Sequence, residues 1–378
     1  MRVCLICTEI FAWGKYGGFG RATRLIGREL AKRGIEVFAV VPRRQDQQAV
    51  ENLDGITVMS FPPAQPQAML QIFREIDADI HHSCEASLGT WFAQRAMPHK
   101  KHMITFRDPR DWRDWGMELA RPSLNYLQVI GNWFFESGPL VASAIRRADA
   151  HYTIGEYLVA KVQGMYGLEG PVAFLPTPVP IPPEPVKAET PTVCYLARMD
   201  RRKRPELFLD LVAKFPEVRF LALGKSRDKR YDQSLKECYG SLPNLTMHGF
   251  VDQFSSDLHS RSLAESWVMV NTATREALPN AFIESCSHGC ALLSAVDPDG
   301  FATRFGYAAT DDDFERGLRW LLAEDRWRAG GAAARQYMED VFAVDRAMDL
   351  HLQVYRRLLD QPVARARRAS ARAAATAG

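Results

Sequence analysis

The chain lacks a membrane span: no stretch of its 378 residues approaches the ~18 consecutive apolar side chains needed to cross a bilayer. No secretion signal is expected in it, because the short apolar run after Arg2 meets Glu9. It lacks an excess of charge, and a formal net charge of +3 is too small to argue for nucleic acid as a partner. It lacks a disulfide framework. The seven cysteines are odd in number and scattered; Cys4, Cys7 and Cys194 sit in apolar runs that read as strands, hence as buried thiols of a reducing compartment. Cys4 and Cys7 are spaced like a redox pair, but in a strand that spacing sends them to opposite faces, and a redox motif belongs at a helix start. A similar argument removes zinc. His81 and His82 are adjacent in a strand and point opposite ways, one buried and one cleft-facing. These absences lead us to expect a cytoplasmic protein, at most peripheral to the inner face of a membrane.

What is present is β–α alternation, twice. A chain of this length with 47% hydrophobic residues predicts two domains, each able to build its own core. The apolar run at residues 3–7 reads as a buried strand, 37–41, 56–61, 80–83, 103–106 and 150–154 continue as short strands, and Ala22, Leu25, Ile26 and Leu30 form a helical stripe within 21–33. Such alternation predicts a parallel sheet with helices on both faces and ligands at the C-terminal strand ends. Six prolines between Pro176 and Pro185 then make a stiff, extended boundary. Beyond it the pattern restarts with strands at 193–199, 219–223, 245–248 and 267–270 and a helix at 205–215. The expected organisation is an N-terminal acceptor domain (1–178), a linker (179–191), a second domain (192–341), a helix that crosses back (342–360) and an Ala/Arg-rich disordered tail (361–378).

Chemistry gathers at the strand ends. Gly14, Gly17, Gly18 and Gly20 follow the first strand, where glycine lets backbone N–H groups approach a phosphate. A dinucleotide fingerprint fails here: Thr23 stands where the third glycine belongs, the glycines come late, and Pro42, Arg43 and Arg44 replace an acid after the second strand. His82 ends one strand, and Arg107, Asp108, Arg110 and Asp111 follow another, with an ion-pair network as the competing reading. Trp112, Trp115, Trp133, Phe134 and Phe135, with Arg107, Arg110, Arg113 and Arg121 nearby, read as a packed helical cover over a cleft. A membrane-touching surface is the alternative, set second because no clean basic amphipathic helix appears. After 193–199 come Arg198 and Lys203, basic groups placed for an anion. After 267–270 a polar loop carries Glu276, Pro279 or Asn280 opens a helix, Glu284 lies just over a turn into it and Gly289 stops it. An anionic ligand with hydroxyl groups suits that place, phosphates toward the helix end and hydroxyls donating to carboxylates.

On these residues the chain resembles the family 4 retaining glycosyltransferases of the GT-B architecture, an α/β fold of two Rossmann-like doubly wound domains facing each other across a cleft. The family's Glu, seven residues, Glu, small residue and glycine match Glu276, Glu284, Ser285 and Gly289. Its arginine followed five residues later by lysine matches Arg198 and Lys203, its double glycine Gly17 and Gly18, and its glycine–hydrophobic–valine turn Gly249, Phe250 and Val251. The resemblance runs from about residue 1 to about residue 360 in element order. It implies that Arg198, Lys203 and Glu276 are catalytic, the two cations neutralising a diphosphate leaving group and Glu276 holding hydroxyls of the transferred sugar. Gly17, Gly18, Gly249, Val251, Leu278, Pro279, Asn280 and Glu284 would bind the donor, Glu284 through the ribose hydroxyls.

The implied reaction moves a sugar, a hexose in the common case, from a nucleoside-diphosphate donor to a hydroxyl acceptor with retention. The acceptor class (glycan, lipid-linked or small molecule) stays open. No cofactor, no metal and no nucleic acid are implied, and the leaving phosphate takes the acceptor's proton on the same face. Asp297 and Asp299 form the one Asp-x-Asp triplet that follows a strand and so the one metal alternative. Arg107 stands where the family usually has histidine, which leaves His82, Arg107 and Asp108 as candidate acceptor or sugar contacts. Ala277 replaces a common glycine, and residues 297–301 are shorter than the family's glycine-rich loop. A phosphorylase, a sugar-nucleotide epimerase and a non-catalytic binding scaffold are the rival readings of the same phosphate site.

Overall fold

Apolar residues on both faces of short strands build two separate sheets in the computed structural model, which describes residues 1–44, 46–120 and 126–362. Arg121 and the expected tail from residue 363 lie outside the described residues. The chain divides into two units: Met1–Pro178 with the chain from Val344 onward, and Val179–Ala343.

In the first unit the strands are β1 (Arg2–Ile6), β2 (Glu36–Pro42), β3 (Val50–Leu53), β4 (Ile56–Phe61), β5 (Ile80–Ser83), β6 (Lys101–Phe106), β7 (Ala150–Thr153) and β8 (Val172–Phe174). Their order is β3-β4-β2-β1-β5-β6-β7-β8, parallel except for β3 against β4. The helices are α1 (Gly18–Lys32), α2 (Met69–Ile76), α3 (Leu88–Ala96), α4 (Trp112–Ala120), α5 (Tyr126–Ser137), α6 (Pro139–Arg147) and α7 (Leu158–Tyr166). β1 shows why the sheet is covered on both sides. Val3 and Leu5 pack with Ile26 and Leu30 of α1, whereas Cys4 and Ile6 pack with Met69 and Phe73 of α2. Cys7 belongs to the first of these cores and Cys4 to the second, so they sit on opposite faces of the sheet.

The second unit has β9 (Thr192–Leu196), β10 (Arg219–Leu223), β11 (Leu245–Gly249), β12 (Val268–Asn271), β13 (Ala291–Ser294) and β14 (Gly306–Ala308), all parallel in the order β11-β10-β9-β12-β13-β14. Its helices are α8 (Pro205–Lys214), α9 (Lys229–Tyr239), α10 (Leu258–Glu265), α11 (Asn280–Ser287), α12 (Phe301–Phe305), α13 (Phe314–Leu322) and α14 (Arg326–Tyr337). Phe208, Phe220, Val270 and Leu293 fill the core beneath α8 and α13, and Trp267 stacks on Trp327 at 4.3 Å. The stretch read as a connector, residues 179–191, runs along this unit. Prolines cannot donate, but their carbonyls accept, and Arg335 Nη2 donates to Pro182 O at 2.8 Å. Lys187 Nζ donates to Ser266 O (2.5 Å) and His288 O (2.8 Å), carbonyls at the C-terminal ends of α10 and α11, where a cation is favoured.

The chain then re-enters the first unit as α15 (Val344–Asp360). Met348, Leu352, Tyr355 and Leu358 complete the core that α1 covers, and His351 Nε2 donates to Pro176 O at 3.2 Å. The aromatic segment departs from the packed cover expected of it. Trp115 is buried and donates through its ring N–H to Ser137 Oγ, but α5 turns Tyr126, Leu127, Ile130, Trp133 and Phe134 outward.

Candidate functional site

In the second sheet β9 lies between β10 and β12, so connections leave it in opposite directions. Ligands in open parallel sheets bind outside the C-terminal strand ends at such a switch point. β9 and β12 run in register, Val193 beside Val268 and Tyr195 beside Val270, so the loops after them emerge side by side. After β9 come Arg198, the 3₁₀ turn Arg201–Lys203, Arg204 and then α8 with proline at its first position. After β12 comes the loop that leads into α11.

Hydrogen bonds stitch the two loops together. Thr272 Oγ1 donates to Lys203 O (2.5 Å), Thr274 N–H to Arg202 O (3.3 Å) and Arg204 Nε to Thr272 O (2.7 Å). Arg204 adopts a left-handed φ of 46° and grips Asp312 with both terminal nitrogens, at 2.6 and 2.8 Å. The result brings Lys203 Nζ onto the carboxylate of Glu276, 73 residues further on. Arg198 Nη1 pairs with Asp200 Oδ2 at 3.0 Å, and the buried Tyr195 hydroxyl reaches the carbonyls of Arg198 (3.5 Å) and Lys203 (3.4 Å) from below. Two cations therefore stand in the loop after β9, each already beside a carboxylate, Asp200 of the same loop or Glu276 of the loop after β12. A diphosphate arriving there meets positive charge held in place before it binds, and the carboxylates are left to accept from hydroxyls.

Asn280 opens α11 with Pro279 as its cap residue, and no side chain caps its first turn. Leu278 is buried just before it. Glu284 is buried on α11 with Oε2 3.3 Å from His259 Nε2 of α10. Gly289 takes a φ of +69°, and Cys290 N–H returns to Ser285 O (3.0 Å), which closes the helix end. On the far side of β9, Gly224 after β10 donates to Gly249 O (2.7 Å), and a Cβ at Gly224 would lie 1.8 Å from Ala197 O. This close approach seals the ends of β9, β10 and β11. Gly249 has a φ of +69°, and Phe250 and Val251 extend from that edge, with Lys225 Nζ 5.8 Å above the Phe250 ring. Asp297 is engaged elsewhere, its carboxylate accepting from Ala302 N–H (2.6 Å) and Thr303 Oγ1 (2.6 Å) at the start of α12. Among the described residues no group of three or more His, Cys, Asp or Glu side chains is arranged to hold a metal ion.

The first unit corrects several expectations. Gly17 and Gly18 do begin α1, but Glu9 reaches into that turn: its Oε1 accepts from Gly20 N–H at 3.1 Å, and a Cβ at Gly17 would stand 1.9 Å from it. The glycine loop thus wraps a side-chain carboxylate, with Lys15 Nζ 3.9 Å from Glu9. Neither His81 nor His82 faces outward, because β5 is an interior strand covered on both faces. His82 is hydrogen-bonded at 2.8 Å on each side, Nδ1 to the Tyr355 hydroxyl and Nε2 to the Thr105 hydroxyl, and His81 stacks on His102. Arg107 is 2% exposed and donates to Thr177 Oγ1 at 2.9 Å, so it too is structural in this state. The backbone N–H groups of Arg107 and Asp108 both donate to Glu85 Oε2 at 2.7 Å, and Asp108 Oδ2 accepts from Arg110 Nε at 3.0 Å. Burial pushes the Glu85 carboxyl up to about 7 against the pull of those N–H donors. Sequence reasoning gave no individual role to Glu9, Glu85, Arg204 or Asp312. Arg204 was hidden in a basic run, and Asp312 is 108 residues from it.

Two family models match the chain: Glycosyltransferase Family 4 over residues 16–181 and Glycosyl transferases group 1 over residues 181–310. No curated protein sequence matches it. Solved structures with the same fold include sucrose-phosphate synthase from Thermosynechococcus elongatus, with TM-score 0.72, 16% identity and coverage of 94% of this chain and 98% of that one. Anabaena HepE in complex with UDP-glucose superposes with TM-score 0.70 at 12% identity, covering 94% of this chain and 99% of that one. The catalytic domain of starch synthase IV from Arabidopsis thaliana, bound to ADP and acarbose, gives TM-score 0.64 at 12% identity, covering 95% and 99%. At these identities the likeness is one of fold: two Rossmann-like halves of the GT-B kind.

Proposed function

Because the chain belongs to the family 4 glycosyltransferases, we propose that it transfers a sugar, with retention and without a metal, from a nucleoside-diphosphate donor to a hydroxyl acceptor. The observation that carries this reading is the joining of Lys203 to Glu276, with Arg198 beside them, at the switch point of the second sheet. In the proposed mechanism the diphosphate oxygens take Lys203 and Arg198, and the uncapped first turn of α11 adds N–H donors. Glu276, released from part of its ion pair, accepts from hydroxyls of the transferred sugar. Glu284 accepts from the ribose, and the edge formed by Gly249, Phe250 and Val251 receives the base. Charge develops on the leaving phosphate as the glycosidic bond to the donor breaks. Fixed cations stabilise that charge without reorganising, and the phosphate can take the acceptor's proton on the same face. HepE was solved with UDP-glucose and starch synthase IV with ADP, which supports a uridine or adenosine diphosphate donor here.

The experiment has two arms. UDP, ADP and GDP are compared for the rise they cause in the thermal midpoint, because a ligand bound only to the folded state stabilises it. The preferred donor is then mixed with hydroxyl acceptors, and free diphosphate is measured. Release that requires an acceptor supports transfer. Conversion of the donor without an acceptor indicates an epimerase, and binding without release indicates a scaffold.

A further inference from the structure

Two neighbouring residues of α10 reach across to α11. The Ser260 hydroxyl is hydrogen-bonded to His288 Nε2 at 2.8 Å, and His259 brings its Nε2 to 3.3 Å from Glu284 Oε2. His288 turns back on the same glutamate, its Nδ1 lying 2.7 Å from Glu284 O. A carbonyl only accepts, so Nδ1 carries the proton and Nε2 accepts from the Ser260 hydroxyl. Burial pushes the pKa of His288 down to about 4, which keeps that ring neutral. Ser287 Oγ donates to the same carbonyl at 2.9 Å. The main chain of Glu284 is thus tied to α10 through His288, and its side chain is met from α10 by His259.

The two histidines differ in one respect. His288 uses both ring nitrogens, whereas the buried Nε2 of His259 makes no hydrogen bond among the described residues. His259 is 6% exposed and Glu284 8%, so water does not readily replace the missing partner. The Glu284 carboxylate is near enough, but it stands off the line of an N–H on that nitrogen. A buried polar atom left unpaired is costly. Packing alone gives no reason for it, because an apolar ring would fill the space without that cost. A ligand that turns the carboxylate would complete the bond. Glu284 can accept from hydroxyls with part of its four lone-pair sites and from an imidazole N–H with the rest.

We propose that His259 is a positioning residue for the donor: as the ribose hydroxyls fix the Glu284 carboxylate, the Nε2–H of His259 closes on it from α10, and the pair selects ribonucleoside over deoxyribonucleoside diphosphates. The inference rests on the role given to Glu284 above and adds the group that orients its carboxylate. Selection follows because a ligand without the hydroxyls leaves the imidazole as it is in the free protein, buried and unpaired.

The test compares UDP, ADP and GDP, each beside its 2′,3′-dideoxy form, by calorimetry on the whole chain and on its His259→Phe and His259→Gln variants. The ratio of the two affinities is read within each variant, so that a general loss of fold, which weakens both alike, does not imitate the effect. The unsubstituted chain is expected to bind its preferred ribonucleotide on the order of a hundredfold more tightly than the dideoxy form, and His259→Phe should reduce that ratio on the order of tenfold. Glutamine carries an amide N–H at a similar reach and should restore most of the ratio. In a Glu284→Ala background the phenylalanine should make no further difference, since coupled residues lose their effect together. An unchanged ratio in His259→Phe, or a loss that glutamine does not restore, overturns the proposal. An unsubstituted chain that binds the ribo- and dideoxy forms alike overturns it too and leaves the donor reading standing, whereas a chain that binds none of the three ribonucleotides overturns both.

Discussion

At the scale of single residues, the cations at the switch point differ in how they are held. Arg198 is about a third exposed and pairs with Asp200, whereas Lys203 is more enclosed and pairs with Glu276. Arg198→Ala should therefore cut turnover on the order of a hundredfold, about 3 kcal/mol of lost charge stabilisation, with little change in melting temperature. Lys203→Ala should cut turnover comparably and also lower the melting temperature, because the enclosed ion pair with Glu276 is lost. Near-normal turnover in both would remove them from the mechanism. Buried histidines set a separate behaviour. Desolvation lowers the pKa of His81, His82, His102 and His351 in the first unit, His351 from 6.5 to about 4. The unfolded chain then binds more protons than the native one below pH 6.5, so stability falls as pH drops from 6.5 toward 4, by about 3 kcal/mol for His351 alone. Glu85, raised to about 7, and Glu136, which burial also raises, act in the opposite direction by favouring the native state as pH falls, but they are two groups against four. Thermal unfolding followed from pH 7 to pH 4 should show a falling midpoint, with a shallower slope in His351→Asn. A flat profile would contradict the buried neutral imidazoles.

At the scale of elements, the proposed mechanism has α11 and the loop before it divide the donor between them. Glu284→Ala should weaken binding of the free diphosphate, and Glu276→Ala should spare that binding while damaging transfer; calorimetry with the diphosphate alone decides, and equal losses would refute the division. Elements buried on both faces were the legible ones. The strands at 37–41 and 219–223 occur where their apolar runs place them, because interior parallel strands write themselves as near-continuous apolar runs. β3, β8 and β14 were not legible. β3 is an edge strand whose Val50 and Asn52 face solvent, and the other two have three residues each. At the site, Arg198, Lys203, Glu276 and Glu284 could be found because their spacing within each strand–loop–helix step is local. What binds those steps together could not. The Arg204–Asp312 grip, the Glu9 carboxylate inside the glycine turn and the two bonds that occupy His82 all join residues distant in sequence, and local pattern carries no trace of such pairings.

At the scale of the whole molecule, the proposed mechanism takes charge for the leaving group from side chains and a helix end, and Asp297 accepts instead from Ala302 and Thr303 of α12. Turnover should survive exhaustive chelation with EDTA. Activity lost on chelation and restored by magnesium or manganese would instead require a metal on the diphosphate. The course of the chain has a further consequence. The second unit occupies the unbroken stretch Val179–Ala343, and its two ends are bound to each other, Val179 N–H donating to Phe342 O at 2.8 Å. The first unit is discontinuous and needs α15, whose Tyr355 and Met348 sit in its core. During synthesis the second unit is therefore complete before the first can close. The ribosome has to deliver the earlier half of the sequence with an open seam beside α1 and hold it so until the final helix emerges, and a nascent chain arrested near residue 343 should present a protease-resistant second unit attached to a first unit that is still digestible.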